Sequence, residues 1–405
     1  MLNHVVWMTI SHLLSRGSII LSGMLVARYL DQTAFSSYSY LLLTATMIAI
    51  YSAMGIGITT TKYYAKLETQ KESTPIATLG LLNLILAIIT VVLFFIFNKF
   101  IVPYNLHIPI VIMGAVILCM TLDIYSSNAL IGLEKFRQLA YVSIFSTIIN
   151  LLSVGLAIYN KNIIYSMGGL ALSAFVQFSL NISCVVVNLR KLNLFSILTI
   201  RYQHTKEIFK TIGPMLFVSL IAASGTWVIG RFILLDYSKN ALEQFALYSI
   251  GLQWYSIALF LPTMISKVIL PKLIKTSHKS SIHLLRKNCW IVFGICFSFA
   301  ICGLFAQPLI SAFYGEKYDI PKGLIFAYLC AATLSAPANI IGNTIIANNK
   351  EFEWLLIVIC SFLTNLAISY FTLDLGAWMG ALALSLSSLM LLILASFMIR
   401  ARIYA

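Results

Sequence analysis

The stretch TPIATLGLLNLILAIITVVLFFIF, residues 74–97, decides the fold class, because it carries no charge and only small neutral polar groups. A bilayer's hydrocarbon core takes about 20 apolar residues of helix to cross, whereas a barrel strand takes about 10. With no water inside, only helices or closed barrels satisfy their backbone there, and this run is too long for a strand. Eleven more runs of similar character follow one another along the chain. The spans are expected at Val5–Leu30, Ala34–Ile58, Thr74–Phe97, Ile108–Leu130, Ala140–Tyr159 and Tyr165–Asn188, then at Thr211–Leu235, Ala246–Ser266, Cys289–Phe313, Lys322–Ile346, Trp354–Phe371 and Ala377–Ile399.

Composition agrees with an all-α integral membrane protein. The chain is 60% hydrophobic and 10% charged, with mean hydropathy +0.93, which leaves no room for a soluble domain. Its net charge of +14 suggests nucleic acid only until the basic residues are located, because Lys and Arg flanking spans report topology. The connections after spans 2, 4, 6, 8 and 10, with the C-terminal tail, hold nineteen: Lys62, Lys66, Lys71, Lys135, Arg137, Arg190, Lys191, Arg201, Lys206, Lys210, Lys267, Lys272, Lys275, Lys279, Arg286, Lys287, Lys350, Arg400 and Arg402. The alternate connections hold six, namely Arg28, Lys99, Lys161, Lys239, Lys317 and Lys322, and the remaining two, Arg16 and Arg231, lie inside spans. Both termini are therefore expected in the cytoplasm, with the basic loops touching anionic lipid. No basic residue precedes the first span and no small-residue cleavage site follows it, so span 1 reads as part of the mature protein.

The longest polar connection, residues 189–210, divides the chain into an N-terminal six-helix bundle over 1–200 and a C-terminal one over 201–405. Local echoes support a repeat. Arg28 precedes Phe35-Ser-Ser-Tyr38-Ser39, and Arg231 precedes Phe245-Ala-Leu-Tyr248-Ser249. Lys135 stands fifteen residues before Asn150, and Lys350 fifteen before Asn365. An even number of spans per half makes the repeat parallel, with a path expected between the halves.

Several functions are disfavoured. There is no G-x-x-x-x-G-K-[ST] phosphate loop, no zinc-spaced Cys/His cluster, and no triad among six scattered histidines. The seven cysteines have neither redox nor metal spacing and read as small apolar residues. A membrane glycan polymerase or ligase remains the enzyme-class alternative, but such enzymes work from sizeable external loops. Here the longest external connections are residues 98–107 and 236–244.

A charged side chain at the bilayer centre costs at least about 2.5–3.5 kcal/mol, so it normally meets a partner or a watery cavity. Arg16 lies mid-span, with His12 one turn earlier and Ser11, Ser15, Ser18 and Ser22 within the same polar wedge. Two readings stand side by side: a cation lining a cavity, or serines for close helix packing with Arg16 paired to a carboxylate. Arg231 is either a site residue or an interfacial anchor. Asp123 in span 4 is either the partner of an arginine or a proton-coupling carboxylate. Gln253, and Asn339 with Asn343 beyond Pro337, suggest a kinked helix with a polar face. Asn150 and Asn365 are expected to bond between helices.

The segment Ala27-Arg28-Tyr29-Leu30 with Phe35-Ser-Ser-Tyr38-Ser39 resembles the first-hairpin signature of polysaccharide exporters in the multidrug, oligosaccharidyl-lipid and polysaccharide flippase superfamily. It departs at Asp31 and Ser36, where glycine is usual. Gly55-Ile-Gly57 with Lys62-Tyr63-Tyr64-Ala65, and Gly132-Leu-Glu-Lys-Phe136, resemble that superfamily's cytoplasmic turns. With twelve spans in two six-helix bundles, the chain resembles a Wzx-type O-antigen flippase with a MATE-like fold. The resemblance implies a multi-pass protein of the bacterial inner membrane. Such a protein moves an undecaprenyl-diphosphate-linked oligosaccharide, in polysaccharide or lipopolysaccharide biosynthesis, to the periplasmic leaflet by alternating access. It implies a glycan polymerase and a chain-length regulator as partners, and no nucleic acid. The alternatives are a lipid II flippase or a multidrug exporter of the same superfamily. No cofactor is implied, and the energy source stays open among membrane potential, protons and sodium.

Overall fold

The computed structural model describes residues 2–53, 55–70, 76–103, 106–191, 202–235, 240–275, 278–315, 317–347 and 350–400. Among these residues there is no strand, and twelve helices are long and apolar enough to cross a membrane. Lys71, Arg201, Lys239 and Arg402, counted above for topology, lie outside the described residues.

The chain forms two compact units, Met1–Leu220 and Ile221–Ala405. In the first, α1 (Leu2–Tyr29), α2 (Gln32–Ala53), α3 (Ile56–Gln70), α4 (Ile76–Ile101), α5 (Ile110–Gly132), α6 (Phe136–Tyr159) and α7 (Ile163–Lys191) follow in order. Helix α8 (Tyr202–Leu235) straddles the division, and α9 (Ala241–Lys275), α10 (His278–Phe305), α11 (Gln307–Tyr314), α12 (Leu324–Ala347), α13 (Glu351–Phe371) and α14 (Ala377–Met398) complete the second.

Two expected spans end differently. The second stops at Ala53, and the chain resumes as α3 beyond Gly55, whose φ of 77° lies in the left-handed region that glycine adopts without steric cost. The polar run expected as a loop there is a helix packed on α5, with Thr61 Oγ1 donating to the Asn128 carbonyl at 3.2 Å. The ninth span stops at Phe305, and Pro308 opens a separate short helix, α11. Proline is pre-organised for a helix start and cannot sit in a helix interior without cost.

The repeat read from sequence has a structural counterpart in packing order. In the first unit α2 and α4 pack on α5, α5 and α6 on α7, and α1 on α6. In the second, α9 and α10 pack on α12, and α12 and α13 on α14, which repeats the contacts among α2, α4, α5, α6 and α7 position for position. The turns match as well. At the end of α5, Glu134 has φ 54°, and the Lys135 N–H reaches the Leu130 carbonyl at 2.9 Å, the ring of a left-handed helix cap. At the end of α12 the Lys350 N–H reaches the Ile345 carbonyl at 3.2 Å in the same register. Asn150 Nδ2 donates to Ser22 Oγ on α1 at 2.9 Å. Asn365 lies against Gly225 on α8, six residues before Arg231 as Ser22 is six before Arg28.

The units are sorted for lipid. Fully buried side chains include Tyr38, Tyr40, Tyr64, Tyr248 and Tyr328, whereas Phe100 is 76% exposed, Phe397 70% and Ile96 62%. Large apolar groups outside and aromatics with polar tips inside suit a hydrocarbon surround.

Candidate functional site

Arg16 sits in the middle of α1. Its side chain is exposed. Its neighbours divide the expected wedge in two. Ser11, Ser18 and Ser22 are buried and belong to the seam with α6, where Ser11 Oγ and Ser143 Oγ share a bond of 2.8 Å and Thr147 Oγ1 donates to the Leu14 carbonyl at 3.1 Å. These three serines therefore serve close packing, and the charge does not share their side. His12 is half-buried one turn before Arg16 and accepts from Ser15 Oγ at its carbonyl, 3.4 Å.

Asp123 does not pair with an arginine of span 1. Its Oδ2 accepts from Gln177 Nε2 at 2.9 Å, and its Oδ1 from Asn181 Nδ2 at 2.7 Å and Ser126 Oγ at 3.0 Å. Three neutral donors from α5 and α7 replace the expected ion pair. The Ser127 hydroxyl turns instead to the Asp123 carbonyl, 2.7 Å. The clasp continues outward, since Gln177 Oε1 accepts from Ser146 Oγ at 3.1 Å and Ser146 Oγ also bonds the Ser143 carbonyl at 3.2 Å. One polar seam thus runs from Asp123 through α7 and α6 to α1. Within it, Asn181 is fully buried and its Oδ1 has no hydrogen-bond partner. Gln177, Asn181 and Ser146 were missed in the sequence. The signal for the first two was available, because two amides four residues apart in an apolar span share a helix face.

In the second unit, Arg231 lies in the last turns of α8, half-buried. Gln253 on α9 accepts at Oε1 from the Tyr314 hydroxyl of α11 at 2.8 Å, and Asn343 Nδ2 donates to Ser266 Oγ at 2.6 Å. Both amides thereby tie helices together. Asn339, one turn from Asn343, is exposed. Helix α12 continues through Pro337, and its packing face carries Ser335, bonded to Tyr255 at 2.9 Å and to Ser388 at 2.6 Å.

The motif residues fall into two groups. Arg28 and Tyr29 are exposed at the end of α1, with the guanidinium 5.7 Å from the ring centroid. Phe35 and Tyr38 are buried, as are their counterparts Phe245 and Tyr248, and the Tyr248 hydroxyl donates to the Thr226 carbonyl at 2.5 Å. The aromatic half of the motif anchors the packing at the start of α2 and α9. Among the described residues, no group of His, Cys, Asp and Glu is arranged to hold a metal.

Solved structures share this fold along almost the whole chain. An outward-facing multidrug-resistance MATE family transporter of the MOP superfamily aligns with TM-score 0.73 at 12% identity, covering 100% of this chain and 95% of its own. The lipid II flippase MurJ in an inward closed conformation aligns with TM-score 0.74 at 14% identity, covering 98% and 88%. A MOP superfamily transporter from Pyrococcus furiosus, described as having a binding pocket of reverse polarity, gives 0.72 at 12% identity, covering 99% and 95%. No curated protein matches the sequence. The profile of the family described as "Polysaccharide biosynthesis protein" matches residues 1–277. That match takes in all of the first unit and the start of the second, and the chain belongs to the polysaccharide biosynthesis protein family.

Proposed function

We propose that this chain is a flippase that carries an undecaprenyl-diphosphate-linked oligosaccharide, an O-antigen or related repeat unit, across the bacterial inner membrane. It works by alternating access, with both termini cytoplasmic and the glycan polymerase and chain-length regulator receiving its product. The observation that carries the reading is Arg16: a permanent charge at mid-span, accessible, in a member of a polysaccharide biosynthesis family. A diphosphate cannot enter hydrocarbon bare, and a guanidinium meets it with a planar, bidentate fork. His12, one turn before Arg16 on the same helix, is a further donor for phosphate and sugar hydroxyls. The MurJ likeness supports a lipid-linked cargo. For a drug-cation exporter a carboxylate-rich interior is expected, whereas the spans here carry two arginines and one aspartate. The inside-negative potential favours outward movement of an anion by about 2.3 kcal/mol per charge per 100 mV.

Arg16→Ala tests this directly. Surface glycan should disappear and lipid-linked repeat units should accumulate on the cytoplasmic leaflet, with the protein's level in the membrane near that of wild type. Arg16→Lys should keep partial activity, because a point charge replaces the fork. Full glycan export by a stably inserted Arg16→Ala protein overturns the assignment and moves the phosphate contact to Arg231.

A further inference from the structure

The turn between α5 and α6, whose Gly132-Leu-Glu-Lys-Phe136 sequence the cargo path does not use, frames a separate pocket. Its volume is about 330 Å³, and its walls are Trp7, Glu134, Lys135, Phe136, Arg137, Gln138 and Tyr141. That is within the range of about 300–1,000 Å³ typical of small-ligand sites. Arg137 is held rather than loose. Its guanidinium lies 5.7 Å from the Trp7 ring centroid and 5.4 Å from that of Tyr141, and its Nε donates to the Tyr141 hydroxyl at 2.9 Å. The two rings are themselves in contact, with centroids 5.8 Å apart. Cation–π contacts of this kind fix a guanidinium while leaving its N–H groups available. On the other wall, Gln138 is anchored by Asn188 Nδ2, 2.7 Å from its Oε1.

The chemistry and the depth point to one ligand class. Trp7 is in the first turns of α1, and Tyr141 is in the second turn of α6. Tryptophan and tyrosine at span ends mark the headgroup level of a bilayer. Lys135 and Arg137 outnumber Glu134, so the pocket is net positive, and α6 presents its N-terminus there. We propose that this pocket binds the phosphate headgroup of a membrane lipid in the leaflet facing the basic loops, with Arg137 as the bidentate donor and the aromatic pair setting its position. The bulk anionic phospholipid and the isoprenoid diphosphate carrier offer the same phosphate chemistry. The assignment needs only a bilayer around the chain, so it stands apart from the cargo reading.

The test is native mass spectrometry of the full chain, purified and delipidated in mild detergent. It is titrated in turn with phosphatidylglycerol, undecaprenyl diphosphate, phosphatidylcholine and inorganic phosphate. Wild type should retain the first two over phosphatidylcholine by about tenfold, because the choline cation offsets the phosphate charge before Lys135 and Arg137. Arg137→Ala should lose that preference, and Arg137→Lys should keep an intermediate one. Tighter retention of the diphosphate identifies a loading site for the carrier, and tighter retention of phosphatidylglycerol a resident lipid. Retention that is equal in wild type and Arg137→Ala overturns the proposal, as does saturation by inorganic phosphate alone. Loss on Glu134→Gln with Arg137→Ala unchanged would mark a cation site and also overturn it. Arg16→Ala should leave the preference for phosphatidylglycerol over phosphatidylcholine intact, whatever it does to the diphosphate, which separates failure here from failure of the transport reading.

Discussion

Asp123 is the only carboxylate away from the ends of the twelve spans, and its three neutral donors set what it can do. An ionised carboxylate held by amides and a hydroxyl is electrostatically satisfied without a counter-charge. Protonation would set a new donor against the Asn181 amide, and a flip of that amide would offer the Oδ1 that now lacks a partner. We propose Asp123 as the coupling group, carrying protons inward as cargo moves outward. Acidifying the periplasmic side of the membrane should then speed transport, and Asp123→Asn should abolish both transport and its pH response while protein level persists. Should Asp123→Asn transport normally with an intact pH response, the coupling role falls. Asp123→Leu, which leaves two amides unpaired, should cost about 1–3 kcal/mol of stability besides.

The contact between α6 and α7 depends on small side chains. A Cβ added at Gly169 would lie 1.9 Å from Ser153 Cβ, well inside van der Waals contact. Without a hydrophobic driving force between helices in lipid, such close approach, with interhelical hydrogen bonds averaging about 0.6 kcal/mol, supplies the association. Gly169→Leu should therefore push the two helices apart and break the Gln177 to Ser146 link. The expected result is a lower thermal midpoint in detergent and reduced protein in membranes. Stability equal to wild type would show that the seam is not set by this crossing. Gly132 plays a similar part where α5 meets α3, since a Cβ there would lie 2.8 Å from the Thr61 carbonyl oxygen.

The nineteen-to-six distribution of basic residues governs how the whole chain enters the membrane. Reporter enzymes active only in the periplasm should be active when fused within residues 236–240 and silent at 276–279. The reverse pattern would invert the chain, and with it the leaflet assigned to the Arg137 pocket and the direction assigned to Asp123. The matching packing order of the two units adds that duplicated positions have diverged in role. Asn150 bonds to Ser22, while its counterpart Asn365 lies against Gly225. The second half of the sequence has no counterpart of Arg16 and Asp123, whose shifted positions are Ser219 and Ala338.

Twelve spans, the repeat and the isolated charges were legible in the sequence, because hydropathy over about 20 residues and single ionisable groups in apolar runs are local properties. Local pattern did not show where two spans would break, at Gly55 and before Pro308, since apolar residues (Ile56 and Ile58, Leu309 and Ile310) follow directly on both. It also gave Arg16 and its serines one polar side. The tertiary structure divided them, packing Ser11, Ser18 and Ser22 against α6 and leaving the arginine accessible. Likewise Asp123 had an arginine as its obvious partner by charge, and only the packing of α5 on α7 supplied amides instead. Which polar group meets which is decided by helix faces brought together from far apart in the chain, at separations such as 54 and 58 residues for Asp123, and no local period encodes that.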